Sequence, residues 1–264
     1  MQKYQAIDEQ QVIQASAVDP KSVTPSAPLI TDFTIISSET PQPTRQNFIS
    51  RVYIILWFQL LVTSTFIGLC NQNKSVQKFM VSQAGISIMW LSMICILIMS
   101  CCLMCLSSSI RKCPGSGMYL TLFTGCMSYI MGYIGIAYKL TTLLLAGLST
   151  LGIFSGLTLY AVQTKYDYTE MGGYLISCLL GFILFGFMAT FIHSSTISII
   201  YSSAGSMLFS FYIVYDTQLI VGGNHRKIMF HIDDYVLAAV SLYLDVINLF
   251  LYLLDLISGG SPRN

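Results

Sequence analysis

The sequence predicts an all-α integral membrane protein: a bundle of seven transmembrane helices, with a polar seventh helix packed inside the others. Three observations predict it. Of 264 residues, 54% are hydrophobic and only 9% are charged, against about 25% charged in a soluble domain. The charges gather at a few places and leave uncharged runs that supply the ~20 apolar residues a bilayer core requires. The last apolar run carries acids and an amide on one side. A chain so poor in Lys, Arg, Asp and Glu could not cover the surface of a soluble fold. Its net charge of +1 gives no electrostatic support for nucleic-acid binding.

Residues 1–46 hold five of the seven prolines and many Gln, Ser and Thr. They bury too little apolar surface to offset ordering entropy, so a disordered cytosolic tail is expected. No apolar core of signal-peptide length occurs there. Pro25-Ser-Ala-Pro28 and Pro41-Gln-Pro43 are weak ligands for proline-reading domains, and a solvated spacer is the simpler reading. The transmembrane domain is expected over residues 47–258, followed by a short tail, 259–264.

Within it, residues 52–70 are uncharged and make span one. Phe79 to Ile110 is again uncharged and holds span two, around 84–106. Residues 113–164 contain one charge, Lys139, and fit spans three and four hinged there. Residues 171–215 contain no Asp, Glu, Lys or Arg, and His193-Ser-Ser divides them into spans five and six. Residues 232–257 make span seven, which could instead be re-entrant.

Lys and Arg near span ends set orientation. With a cytosolic N-terminus, that side has Arg45, Arg51, Arg111, Lys112, Lys165, Arg226 and Lys227. The other side has Lys74, Lys78, Lys139 and Arg263. The excess favours a cytosolic N-terminus.

Seven of the eight cysteines lie in or beside apolar runs and read as small packing thiols. Cys101, Cys102 and Cys105, beside Arg111 and Lys112, are candidates for palmitoylation. Asn73-Lys-Ser75 is a glycosylation sequon in a loop that is short for its use. Ser128 with Gly132, Gly152 with Gly156 and Ser177 with Gly181 are small residues four apart, which let helices approach closely.

An ionisable residue inside a span costs at least ~2.5–3.5 kcal/mol and is a functional hypothesis by default. Asp216 in span six and Asp245 in span seven qualify. At ~100° per residue, Asp234, Asp245, Asn248 and Asp255 fall within about 80° of one another, a stripe that should face the bundle interior. Asp216 and Asp245 lie on consecutive antiparallel spans and can meet at similar depth. Two carboxylates in one dry site would share a proton and act as a proton-sensitive latch. Ionised, they suit weak, transient binding of Ca²⁺, with Asn248, Thr217 and Gln218 as supporting polar groups. The plain alternative is a structural hydrogen bond between helices. Asp233 or Asp234 reads as the N-cap of helix seven, or as a pore entrance. Asp255 reads as reaching the interface, and His193, His225 and His231 fit no metal motif.

Several segments then resemble the transmembrane Bax-inhibitor-motif family, specifically its lifeguard and Golgi anti-apoptotic branch. They are Phe48-Ile-Ser-Arg-Val-Tyr-Ile-Ile-Leu-Trp-Phe-Gln-Leu-Leu-Val-Thr63, and Tyr160-Ala-Val-Gln-Thr-Lys-Tyr-Asp-Tyr-Thr169 with Gly172-Gly173. Two more are Tyr215-Asp-Thr-Gln-Leu-Ile-Val-Gly-Gly-Asn-His225 and Asp234-Tyr-Val-Leu-Ala-Ala-Val-Ser-Leu-Tyr-Leu-Asp-Val-Ile-Asn-Leu-Phe250. The resemblance implies a seven-helix protein of Golgi or endoplasmic-reticulum membranes that leaks Ca²⁺ from stores and restrains apoptosis. It has calcium as transported ion and no cofactor. The family's di-aspartyl pH sensor maps onto Asp216 and Asp245, and an acid implicated in ion passage maps onto Asp233 or Asp234. Some bacterial relatives have a latching arginine in span two, and this sequence has none there.

Three functions compete. One is the pH-modulated leak. Another is a non-conducting adaptor that binds cell-death or calcium-release-channel proteins through its tail, alone or as a homo-oligomer. The third is an intramembrane aspartyl protease, which Tyr215-Asp216 fits by half. That enzyme's Gly-Leu-Gly-Asp element is absent, since Leu242-Tyr-Leu precedes Asp245.

Overall fold

A computed structural model describes residues 42–105, 116–192, 194–222 and 234–259. Residues 1–41, Arg111, Lys112, Cys113, His193, His225, Arg226, Lys227, His231 and Asp233 lie outside the described residues. So does the side chain of Cys105.

Helix α1, Gln42–Gln72, begins inside the stretch expected to be tail. Phe48, Val52, Leu56, Gln59 and Thr63 form its buried edge, at the three- and four-residue spacing of one helical face. A short helix that the periodicity did not announce follows: α2, Lys74–Val81. Its N-cap is Asn73, the sequon asparagine, whose Oδ1 accepts the Ser75 N–H at 2.9 Å. Capping of this kind satisfies donors the first helical turn leaves open. Helix α3 covers Gln83–Cys105.

Helix α4, Ser116–Gly135, and helix α5, Leu140–Gln163, are hinged at Lys139 as expected, with Lys139 the N-cap of α5. Asn71 stitches this hinge to α1. Its Nδ2 donates to the Gly135 and Tyr138 carbonyls at 3.0 and 2.9 Å, at the turn where α4 ends. A 3₁₀ turn, Thr169–Met171, leads into α6, Gly172–Ala189. Helix α7 covers Ser195–Val221 and stops at Gly222, whose φ of 60° is a conformation L side chains rarely adopt. Helix α8 covers Tyr235–Ile257.

Among the described residues, six helices are long and apolar enough to cross a membrane: α1, α3, α5, α6 with its leading turn, α7 and α8. Helix α4 is uncharged and 20 residues long, but Tyr, Ser, Thr and Gly replace much of its aliphatic content. Two of those residues face inward. Gln59 Nε2 donates to Thr124 Oγ1 at 3.0 Å, and Thr63 Oγ1 pairs with Ser128 Oγ at 3.0 Å and with Tyr243 OH at 2.7 Å. Side-chain hydrogen bonds of this type join helices where lipid gives no hydrophobic force between them.

Helix α8 is the inner one. It packs against α1, α4, α5 and α7, and 61% of its apolar window is buried, against 11–28% for the other five spanning helices. Ala238, Ala239, Leu242, Tyr243 and Leu249 have no exposed surface. Helices α3 and α6 lie outside, against α4 and α7 respectively.

The small-residue pairs divide. A Cβ at Gly132 would come within 2.8 Å of Phe66 and 2.9 Å of Cys70, so α4 does sit close on α1. Gly152, Gly156 and Gly181 have nothing within 4 Å, which corrects the expectation of close approach there. Their faces are open to the outside of the bundle.

Candidate functional site

Four consecutive residues of α7 reach four different neighbours. Tyr215 lies over the start of α6, where a Cβ at Gly172 would meet its hydroxyl at 2.6 Å. Asp216 faces α8. Thr217 faces α1, and Gln218 faces the loop between α5 and α6. Successive side chains on a helix point ~100° apart, so a helix walled on all sides produces this fan. Asp216, Thr217 and Gln218 are all buried.

Asp216 and Asp245 each retain only 6% of their surface. Their carboxyl groups lie beside each other, and Ser241 stands beside Asp216 while its hydroxyl donates to the Leu237 carbonyl of its own helix at 3.0 Å. The Tyr212 phenol lies near both carboxyls, and its oxygen is buried with no hydrogen-bond partner among the described residues. Asp245 Oδ2 is likewise buried without a donor. Tyr212 and Asp216 are four residues apart on α7, and Ser241 and Asp245 are four apart on α8. Each hydroxyl therefore sits on the same face as its acid. Ser241 and Tyr212 did not emerge from the sequence reading, though this spacing was available to find them.

A pair of carboxyls so enclosed has two low-energy arrangements. One proton can be held between them, or a cation can sit against the ionised oxygens. Among the described residues, no three His, Cys, Asp or Glu side chains converge as a metal site. The two carboxylates supply at most four oxygens, fewer than the 6–8 that Ca²⁺ takes when held firmly.

The remaining residues singled out in the sequence are dispersed. Gln218 clamps the loop: its Oε1 accepts the Tyr168 N–H at 2.8 Å, and its Nε2 donates to the Tyr166 carbonyl at 3.0 Å and the Ala161 carbonyl at 3.4 Å. Asn248 is half-buried and donates to Leu244 O on its own helix at 2.8 Å. Asp234 is buried at the N-cap position of α8, with no side-chain capping bond. Cys101 is exposed and Cys102 half-buried at the end of α3.

Asp255 is half-buried near the end of α8. It turns inward to α7, where the Ser198 hydroxyl donates to its Oδ2 at 2.7 Å and the Ser202 hydroxyl donates to the same oxygen. Tyr138, in the turn before α5, stands beside this group. Burial first, and the Asp255 charge second, push its phenol above the ordinary tyrosine value of 10.0, against a Ser258 hydrogen bond acting the other way. In the loop between α5 and α6, Tyr168 is also raised, chiefly by its bond to Tyr160, whose oxygen lies 2.7 Å away.

A family model described as "Inhibitor of apoptosis-promoting Bax1" matches residues 45–262. Protein lifeguard 3 of Mus musculus is 28% identical over 224 residues, which cover 81% of this chain and 70% of that one. Protein lifeguard 3 of Homo sapiens is 28% identical over 218 residues, 80% of this chain and 68% of that one. Protein lifeguard 4 of Mus musculus is 31% identical over 220 residues, covering 83% and 87% respectively.

Proposed function

Since the chain belongs to the family of inhibitors of apoptosis-promoting Bax1, we propose that it is a pH-modulated calcium leak of Golgi or endoplasmic-reticulum membranes that lowers store calcium and restrains apoptosis. In this reading α4 also crosses the membrane, as span three of seven, α8 lines the path, and the N-terminus is cytosolic.

The observation that carries the reading is the buried pair Asp216 and Asp245. Placing two acids in an apolar bundle is expensive. The side chains beside them, Ser241 and Tyr212, are both hydroxylic. A shared proton makes the pair compact and neutral. Its loss leaves like charges that repel, and a passing divalent cation relieves that repulsion. Protons and cations then compete for the same oxygens, and the leak depends on pH. Weak binding by an incomplete oxygen set suits passage rather than storage.

The test is Ca²⁺ entry into dye-loaded liposomes holding the purified protein, from pH 6 to 8, beside Asp216→Asn and Asp245→Asn. Wild-type flux should vary with pH, and each variant should lose that variation. Flux no greater than in empty liposomes at every pH would sink the leak and leave the non-conducting adaptor in front.

A further inference from the structure

Thr217 follows Asp216 and turns away from the acid pair. It has no exposed surface. Tyr53 of α1 brings its phenol into reach of both Thr217 and Thr158 of α5. Three helices thus deliver three hydroxyls to one place, one residue along α7 from the carboxyl pair.

These hydroxyls do not close on one another. Tyr53 OH, Thr158 Oγ1 and Thr217 Oγ1 are buried, and none makes a hydrogen bond of normal geometry with another described group. A buried hydroxyl left open costs about 1–3 kcal/mol. The contrast with the nearby layer of Thr63, Ser128 and Tyr243 is informative, because that layer closes its bonds at 2.7–3.0 Å. Polar side chains in this bundle pair tightly where their role is to join helices. Oxygens that stand near one another without closing are arranged around something small that binds oxygen.

We propose that the Tyr53, Thr158 and Thr217 hydroxyls form a neutral oxygen site that takes a partly hydrated cation passing to or from Asp216 and Asp245. The proposal rests on the leak reading and adds to it a second station of different chemistry. A hydroxyl can turn a lone pair to a cation or to the water it carries. Three neutral oxygens hold a divalent ion far less firmly than carboxylates do, so an ion that reaches them is released. Conduction needs such a sequence of strong and weak sites.

The experiment compares the full-length wild type with Tyr53→Phe, Thr158→Val and Thr217→Val. Each substitution removes a hydroxyl and leaves the side-chain outline. Liposome Ca²⁺ flux should fall roughly five- to tenfold in each variant, about the worth of one hydrogen-bond-sized contact. The residual flux should keep the wild-type pH profile, because the acid pair is intact. Melting in detergent is measured in an Asp216→Asn/Asp245→Asn parent, which lacks the carboxylate site: each hydroxyl substitution should leave the Ca²⁺-free melting temperature at or above that of the parent and should abolish the rise that Ca²⁺ gives the parent. A lower Ca²⁺-free melting temperature, with the Ca²⁺ rise of the parent retained, would mean that the hydroxyls only join helices. Flux within twofold of wild type in both Tyr53→Phe and Thr217→Val, with the Ca²⁺ rise of the parent retained, would leave a structural water as occupant and overturn the proposal. A wild type without flux defeats the leak reading, and the Ca²⁺-dependent melting of the parent then decides the hydroxyl site alone. A wild type without flux and a parent without a Ca²⁺ rise overturn both.

Discussion

Asp216 and Gln218 stand two residues apart on α7 and serve opposite neighbours: the carboxyl meets Asp245 on α8, while the amide holds the backbone of the loop between α5 and α6. The helix that carries half of the acid pair is therefore tied, within one turn, to a connection outside the apolar spans. Any rotation of α7 that separates the carboxyls also strains the loop.

Gln218→Ala should release that loop. The variant loses the bonds to Tyr168 and Tyr166 and the longer one to Ala161, and takes from the Tyr168 N–H its Gln218 acceptor. A destabilisation of about 1–3 kcal/mol is expected. Hydrogen exchange measures it locally: the amide of Tyr168 should exchange much faster than in wild type, with the amides of α1 unchanged. Equal protection at Tyr168 would mean that the clamp is redundant.

Asp245→Leu and Asp245→Asn should differ in stability. If the pair shares a proton, Asn can donate to Asp216 in place of that proton and preserve the melting temperature. Leu leaves Asp216 buried with the Ser241 hydroxyl but without its acid partner, and should cost about 1–3 kcal/mol. An unshared and doubly charged pair predicts instead that both variants melt above the wild type, since either substitution removes one of two repelling charges.

Gly132→Val and Gly152→Ala should have opposite signs. The first drives branched carbon into the Phe66 ring and Cys70 of α1, and overpacking of this kind costs about 1–3 kcal/mol. The second meets nothing within 4 Å and exchanges a flexible helical residue for the best helix former, a gain of about 0.5–1 kcal/mol. Thermal melts of the two variants in one detergent check both. A loss at Gly152 would show that its open face is covered by another molecule.

Tyr138 should give the fold an alkaline limit. Its folded proton affinity lies above the ordinary value of 10.0. Above that pH the unfolded chain therefore binds fewer protons than the folded one, and stability falls as pH rises. Asp255→Asn removes the second cause of the shift and should flatten that fall between pH 10 and 11. Melting temperatures across this range, for wild type and variant, read the difference. Parallel curves would detach Asp255 from the tyrosine.

The sequence made much of this legible because charge in a bilayer is costly. The hinge at Lys139, the break near Ser194 and the inward face of α8 all follow from where charge can stand. Asp216 and Asp245 were legible for the same reason. What stayed hidden was the use of neutral polar groups. Ser, Thr and Tyr are common on lipid-facing and inward faces alike, and both Thr63 and Ser64 bond back to their own helix, so nothing in the chain marks Thr63 as the one that also bonds across to α4 and α8. The partners of Asp255 were hidden for a related reason: its place near a helix end was legible, but not that Ser198 and Ser202, one turn apart on another helix, would donate to it.

The depth of α8 has a consequence for how the protein is made. Chains are synthesised from the N-terminus, so the helix at the centre of this bundle reaches the membrane after the helices that surround it. Until it arrives, Thr63 has no Tyr243 to bond, Asp216 lacks Asp245, and the walls of the bundle stand around an unfilled middle. Assembly then resembles closing a barrel on its last stave from within. A chain that stalls before α8 presents unsatisfied polar groups to lipid, which is the signature by which a cell can recognise an unfinished membrane protein and remove it.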